Sequence, residues 1–291
     1  MRIKYLLKSL APLFIILIVF IITYFAAFAI SVFIGDVKVS DANTALVNEG
    51  IYNLLRFSTS LIIFAWWFLK IASDKSMSEN PSSGYKTTEE TAIEVLKGAG
   101  RSFKDMLKPV RLISLILLGF SIQVTTDSII YILSSAFSDS FSSYTKMMES
   151  FKGSESVLFI ITVTTLAPLV EELVFRGIMM HYAIKIMPDN SRSRLPVAII
   201  IQALFFGIYH GNLIQFFYAF IFAILFAVID SKFNSLVPSI LLHIIVNASL
   251  YVISRKIFVN VPFTVLIFII SLAVLVIAFI VLYRSHTASD D

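Results

Sequence analysis

The sequence predicts an all-α membrane protein, a polytopic bundle of about eight transmembrane helices. Hydrophobic residues make up 58% of its 291 residues and charged residues only 14%, and the mean hydropathy is +0.88. Soluble domains carry about 25% charged residues, so a soluble chain of this length would lack the side chains needed to cover its surface. The same composition excludes a disordered chain, a collagen and a nucleic-acid binder. Because there is no cysteine, disulfides and thiol catalysis are excluded too.

Eight apolar stretches are the predicted spans, since a ~30 Å hydrocarbon core takes about 20 helical residues. In chain order they are 10–34, 51–71, 112–137, a helix that begins at Val157, 195–210, 213–229, 237–254 and 258–283. The fourth runs through Pro168 into a charged cluster. A short His210-Gly211-Asn212 break separates the fifth from the sixth.

The basic residues predict the topology. With the N-terminus inside, seventeen Lys and Arg residues fall on the inner side and five on the outer side, with Arg56 inside a span. Cytoplasmic loops carry this excess, so both termini are expected in the cytoplasm. We expect a multi-pass protein of a plasma membrane, and a bacterial one because no eukaryotic sorting signal is present.

One long polar stretch, 73–111, divides the chain. We expect residues 1–111 to hold two spans, a Ser/Pro/Gly-rich linker at 76–88 and an amphipathic helix, and residues 112–291 to form the core. The amphipathic helix has an apolar face formed by Ile93, Leu96, Phe103 and Leu107. Its basic face carries Lys97, Arg101, Lys104 and Lys108. This helix either lies on anionic lipids of the inner leaflet or is a plain solvated linker helix. Gly98 and Gly100 lower its helical stability.

Charged side chains inside the fourth span are functional candidates, because each costs roughly 2.5 to 3.5 kcal/mol at a membrane centre. Glu172 and Arg176 are four residues apart on one helix face and can pair. Glu171 is rotated by about 100° and has no such local partner. A carboxylate in a low-dielectric site is disfavoured in its charged form, so Glu171 can accept a proton from water. Alternatively, the cluster only marks the cytoplasmic end of the span.

Polar side chains also occur on the fifth and seventh spans. His210 ends the fifth, and His243 and Asn247 share one face of the seventh. These residues suit an attack of water on a carbonyl, with His and Asn stabilising the oxyanion, or a divalent metal held by Glu171, His210 and His243. Alternatively, these residues have no catalytic role: His210 is then an ordinary interfacial residue, and His243 and Asn247 form a hydrogen bond between helices that only aids packing. Asp127 stands apart on the third span as a packing or substrate-side group.

Three motifs together resemble the CAAX protease and bacteriocin-processing (CPBP, or Abi) family. They are Glu-Glu-x-x-x-Arg at 171–176, Phe-x-x-x-His at 206–210 and His-x-x-x-Asn at 243–247, and the resemblance covers about 157–251. It implies an intramembrane endopeptidase of eight helices with a cavity that opens to the cytosol. Its substrate would be a membrane-associated or lipidated peptide or protein, and bacteriocin immunity is one role. Glu171 would activate water, Glu172 and Arg176 would support it, and His210, His243 and Asn247 would complete the site.

The resemblance leaves the metal open, with zinc as the candidate, because both glutamate-dependent and metal-dependent mechanisms are argued for the family. Two other functions also stay open: a non-catalytic membrane scaffold or regulator with the same fold, and a proton-coupled transporter. One depth does not fit, since a rise of 1.5 Å per residue puts His210 about 12 Å higher in the membrane than His243. Either the fifth helix begins below the surface or its predicted boundaries are wrong.

Overall fold

A computed structural model describes residues 2–33, 49–79, 88–153, 156–253, 258 and 260–286, and every regular element among them is a helix. The predicted all-α class is confirmed. Most of the predicted linker lies outside the described residues, as do Lys38, Arg255 and Lys256, which entered the predicted topology.

The described part of the chain contains ten helices. They are α1 (Ile3–Phe33), α2 (Glu49–Glu79), α3 (Thr88–Met106), α4 (Pro109–Ala136), α5 (Ser138–Gly153), α6 (Val157–Ile186), α7 (Arg194–Tyr209), α8 (Leu213–Phe233), α9 (Val237–Val252) and α10 (Val261–Ser285). Six of them are long and apolar enough to cross a membrane: α1, α2, α4, α6, α8 and α10. The chain is therefore a membrane-embedded helical protein.

The predicted fifth and seventh spans, 195–210 and 237–254, are the helices α7 and α9, which are not among these six. Both α7 and α9 have 16 residues, which is about 24 Å of helix against a ~30 Å hydrocarbon core. Local signals separate α7 from α8. Gly211 has a φ of +65°, which stops α7, and the Asn212 side chain accepts hydrogen bonds from the N–H groups of Ile214 and Gln215 to start α8.

The chain divides into two compact units, each made of two segments. The first unit comprises Met1–Leu96 and Ser154–Gln202, and the second comprises Lys97–Gly153 and Ala203–Asp291. The Glu-Glu motif therefore lies in the first unit. The two histidine motifs lie in the second.

In the first unit, α1 and α2 pack with α6. The backbone N–H of Arg2 donates to the carbonyl of Ile186 at 3.1 Å, so α1 begins where α6 ends. The rings of Tyr24 and Tyr52 meet edge to face, with centroids 5.7 Å apart, near the end of α1 and the start of α2. Within this unit, α2 and α6 therefore both run opposite to α1.

In the second unit, α4 is the central helix and packs against α9 and α10. Its core is formed by apolar side chains of several helices: Met106, Leu115, Leu118, Ile122, Phe226, Ile229, Phe233, Leu242, Val246, Ala278 and Leu282. Gly119 lets α9 approach, since a Cβ there would lie 2.4 Å from Cγ2 of Ile245. At one end, the buried Arg111 guanidinium pairs with Asp105 and donates to the Ser285 carbonyl at 2.6 Å. The start of α4 and the end of α10 are thus joined.

Two amphipathic helices connect the long ones. The predicted helix on the polar stretch is α3. It buries Thr91 and Met106 and leaves its apolar stripe exposed, Leu96 to 70%. The other helix, α5, was not predicted. Its signal is Phe141, Tyr144 and Met148, which recur every three or four residues and are buried.

Candidate active site

The Glu pair lies on a helix of uneven winding. Within α6, Ala167–Glu172 is regular α-helix, whereas Thr162–Leu166 before it and Leu173–Met179 after it are wider π-helical turns. The N–H of Ala167 accordingly donates to Thr162, five residues back. A proline clashes with the carbonyl four residues earlier in an α-helix, so the wide turn makes room for Pro168. Such turns are frequent at functional sites.

Glu172 and Arg176 form the predicted ion pair. Their Oε1 and Nη1 atoms are 3.2 Å apart and both side chains are fully buried. A buried pair is costly to break, because the remaining partner becomes an uncompensated charge. Glu171, the neighbouring carboxylate, keeps 8% of its surface exposed. In the first unit, the motif therefore combines a buried internal pair with a carboxylate that retains slight access.

His210 follows α7, and one hydrogen bond fixes its tautomer. Its Nδ1 lies 2.8 Å from the carbonyl oxygen of Phe206, which can only accept, so Nδ1 carries a hydrogen. In the neutral ring, Nε2 then bears a lone pair and cannot donate. Neutral His210 can accept a proton or bind a metal through Nε2, whereas donation to an oxyanion requires the imidazolium form.

Phe206 connects the two histidines of the second unit. Its ring centroid lies 4.8 Å from that of His210 and 6.0 Å from that of His243, both nearly edge to face. The predicted 12 Å difference in height is therefore wrong, because two rings in contact with the same phenyl group lie closer than that.

His243 and Asn247 share a face of α9, as their spacing predicts. His243 is buried beside Phe206 of α7 and Phe226 of α8, whose ring centroid is 5.5 Å away. Asn247 lies one turn further along and is half-buried. The second unit therefore groups two imidazoles around one phenyl ring, with an amide on the helix that carries His243.

Asp230 supports this group, and sequence reasoning missed it. The carboxylate is buried at the end of α8 and accepts hydrogen bonds from the backbone N–H and the hydroxyl of Ser239, in the first turn of α9. An acidic group at a helix start satisfies N–H groups that lack helical partners. The signal was an acidic residue just before the Asn234 turn, whose φ is 47°.

No three His, Asp or Glu side chains among the described residues are grouped so that they could hold a metal ion. Of the ligands expected for zinc, Glu171 belongs to the first unit and His210 and His243 to the second.

Residues 153–249 match the family model described as "Type II CAAX prenyl endopeptidase Rce1-like". The match covers about a third of the chain and contains all three motifs, from Glu171 to Asn247. It confirms the family resemblance that the motifs predict. Comparisons with curated proteins and with solved structures gave no match.

Proposed function

We propose that this chain is an intramembrane endopeptidase that hydrolyses peptide bonds of a membrane-associated or lipidated substrate. The observation that carries the proposal is the Glu motif. Glu171 lies beside a fully buried Glu172–Arg176 pair, in a membrane-spanning helix within the part that resembles CAAX endopeptidases. The Glu172–Arg176 pair balances its own charge, so we assign the chemistry to the second carboxylate, Glu171.

In this mechanism Glu171 takes a proton from water as the water oxygen attacks the scissile carbonyl carbon. The new C–O bond gives a tetrahedral intermediate whose oxyanion accepts hydrogen bonds from the side-chain amide of Asn247 and from a histidine. Glu171 then returns its proton to the leaving nitrogen as the C–N bond breaks. The products are a new carboxyl terminus and a new amine.

The two histidines have different parts in this proposal. The Phe206 carbonyl holds the hydrogen of His210 on Nδ1, so His210 stabilises an oxyanion only when it is protonated. His243 is the other candidate donor, held between Phe206 and Phe226. Arg176 and Glu172 are positioning residues for Glu171.

The test compares membrane peptidomes from cells that carry the wild-type chain or Glu171→Gln at equal expression. Glu149→Gln is the matched control, since Glu149 is an exposed carboxylate on α5. We expect uncleaved precursors to accumulate only with Glu171→Gln. Unchanged processing in that variant contradicts the mechanism. A biological role that survives Glu171→Gln but not disruption of 73–111 indicates a regulator instead.

The membrane placement belongs to the same proposal. The chain crosses a bacterial plasma membrane with both termini in the cytoplasm, and its active-site cavity opens to that side. The helices α7 and α9 complete the eight, with α7 beginning below the surface. The exposed apolar stripe of α3 lies on the inner leaflet, where Lys97, Arg101 and Lys104 meet anionic lipid headgroups.

A further inference from the structure

Asp127 is a buried carboxylate that the proposed mechanism does not use. It lies in the membrane-spanning helix α4 with 4% of its surface exposed, and its Oδ2 has no hydrogen-bond partner among the described residues. An acidic group within a membrane span is costly to insert. Glu172 meets this cost through Arg176 on its own helix. Asp127 has no basic residue at the corresponding positions of α4.

One tyrosine interacts with Asp127, and a second packs on the first. Tyr218 of α8 interacts electrostatically with Asp127 and is hydrogen-bonded to the side chains of Tyr144 and Gln215. The rings of Tyr144 and Tyr218 meet edge to face with centroids 6.4 Å apart. This group, Asp127 with Tyr144 and Tyr218, is here called the Asp127 cluster. It combines one negative charge with two aromatic faces, and the faces also attract cations.

A row of aromatic rings leads from the Asp127 cluster to His243. The ring of Tyr218 is 5.7 Å from that of Phe222, which is 6.5 Å from Phe226, and Phe226 is 5.5 Å from His243. Tyr218 and Phe222 are half-buried, so the row has an accessible side. Because Tyr218 and Phe226 are eight residues apart on α8, Tyr218 lies about 12 Å along the helix from the ring that packs on His243.

Three kinds of positive group could meet the Asp127 carboxylate: a proton, a metal ion or an organic cation. Metal ions prefer several hard ligands, and no group of three acidic or histidine side chains occurs among the described residues. A proton would leave the aromatic faces without a role. A lysine or arginine side chain uses both parts of the cluster, by pairing with the carboxylate and packing on the rings.

We propose that the Asp127 cluster binds a basic side chain of the peptide substrate. The inference rests on the proposed peptidase function. An extended peptide advances about 3.3 Å per residue, so 12 Å corresponds to three or four residues between the basic side chain and the bond held at His243. Asp127 is thus a specificity residue. The carboxylate that it places in α4 is paired by the basic side chain of the bound substrate.

The first test measures binding in nanodiscs on the Glu171→Gln background, so that hydrolysis does not interfere. The probes are fluorescent apolar peptides with one lysine at successive positions, each paired with its norleucine counterpart. We expect the best lysine peptide to bind at least tenfold more tightly than its counterpart, and Asp127→Asn to remove this preference. Asp139→Asn is the matched control, because Asp139 is exposed on α5. A preference that persists in Asp127→Asn overturns the inference.

Two further arms separate the explanations. The Asp127→Lys variant should bind a peptide with glutamate at that position more tightly than one with lysine. If the affinity of the wild-type cluster depends instead on sodium concentration and not on the peptide side chain, the inference is overturned in favour of a cation site. With active protein, mass spectrometry should locate the cut three or four residues from the best lysine. Lysine-selective binding without any cut leaves the Asp127 cluster standing and contradicts the proposed peptidase.

Discussion

The carboxylate of Asp230 accepts two hydrogen bonds from Ser239, from the backbone N–H at 3.0 Å and from the hydroxyl at 2.6 Å. Asp230 ends α8 and Ser239 lies in the first turn of α9, one turn before His243. The contact ties the two helices of a hairpin at their shared end. The position of His243 therefore depends on a residue outside the three motifs.

Replacing Asp230 should weaken the second unit. We expect Asp230→Ala to lower the free energy of unfolding by about 1 to 3 kcal/mol, because the buried Ser239 groups lose their acceptor. Ser239→Ala removes only the hydroxyl bond and should cost about 1 kcal/mol. Thermal unfolding in detergent measures both. A Ser239→Ala loss as large as that of Asp230→Ala speaks against the backbone bond.

The two neighbouring glutamates should separate stability from activity. Glu172→Gln leaves Arg176 as a buried unpaired charge and should cost about 3 to 5 kcal/mol. Glu171→Gln should abolish hydrolysis with little change in unfolding temperature. The double variant Glu172→Gln/Arg176→Met, which removes both charges, should recover part of the lost stability. If it is as unstable as Glu172→Gln, the ion pair is not the cause.

Gly119 should tolerate no side chain while Ile245 is present. The Cβ of Gly119→Ala would lie 2.4 Å from Cγ2 of Ile245, whose β-branched side chain cannot rotate away freely. We therefore expect the free energy of unfolding to fall by about 1 to 3 kcal/mol. Gly98→Ala in α3 is the matched control, since no atom lies within 4 Å of its Cβ. It should stabilise the helix by about 0.5 to 1 kcal/mol.

A double-mutant cycle with Ile245→Ala checks this explanation. Combining Gly119→Ala with Ile245→Ala should cost less than the sum of the two single changes, because the new methyl group then occupies vacated space. Strict additivity would mean that the clash lies elsewhere.

Glutamate dependence predicts that activity survives chelation. Glu171 supplies the base in the proposed mechanism, so prolonged dialysis against a zinc chelator should leave peptide hydrolysis unchanged. The measurement is the hydrolysis rate before and after dialysis, with a zinc protease treated in parallel as the control. Loss of activity that added zinc restores would assign the reaction to a metal-dependent mechanism.

The orientation of α3 can be tested with a label, since the chain has no cysteine of its own. A polarity-sensitive fluorophore at Leu96→Cys should emit at shorter wavelength than one at Glu94→Cys in nanodiscs with anionic lipid. The triple variant Lys97→Gln/Arg101→Gln/Lys104→Gln should reduce the difference, since each charge near an anionic surface contributes about 1 kcal/mol. Equal emission from the two labels would indicate a solvated linker helix.

Hydropathy and motif spacing predicted every described helix except α5, and they predicted which motif residues share a face. The pair of Glu172 and Arg176 could be predicted because it is local to one helix. The bounds of α7 and α9 lie within two residues of the predicted ones, because Gly211 and Asn212, which separate α7 from α8, are visible in the sequence. These are turn signals.

Contacts between helices were the least predictable part. Asp230 and Ser239 are nine residues apart on two helices, and the aromatic row joins side chains of α8 with His243 of α9. No periodicity within one helix encodes such pairs, because they depend on how two helices cross. The π-helical turns before and after Glu171 could not be predicted either, because a run of apolar residues is compatible with both α-helical and π-helical winding.

The ion pair of α6 also bears on how the protein is made. Glu172 and Arg176 are one turn apart, so they can neutralise each other as soon as that helix forms, before any other helix has packed against it. The segment can then pass from the insertion machinery into lipid with two of its charges already cancelled. Asp127 has no such companion on α4. Neutralising Asp127 should therefore ease biosynthetic insertion more than neutralising Glu172.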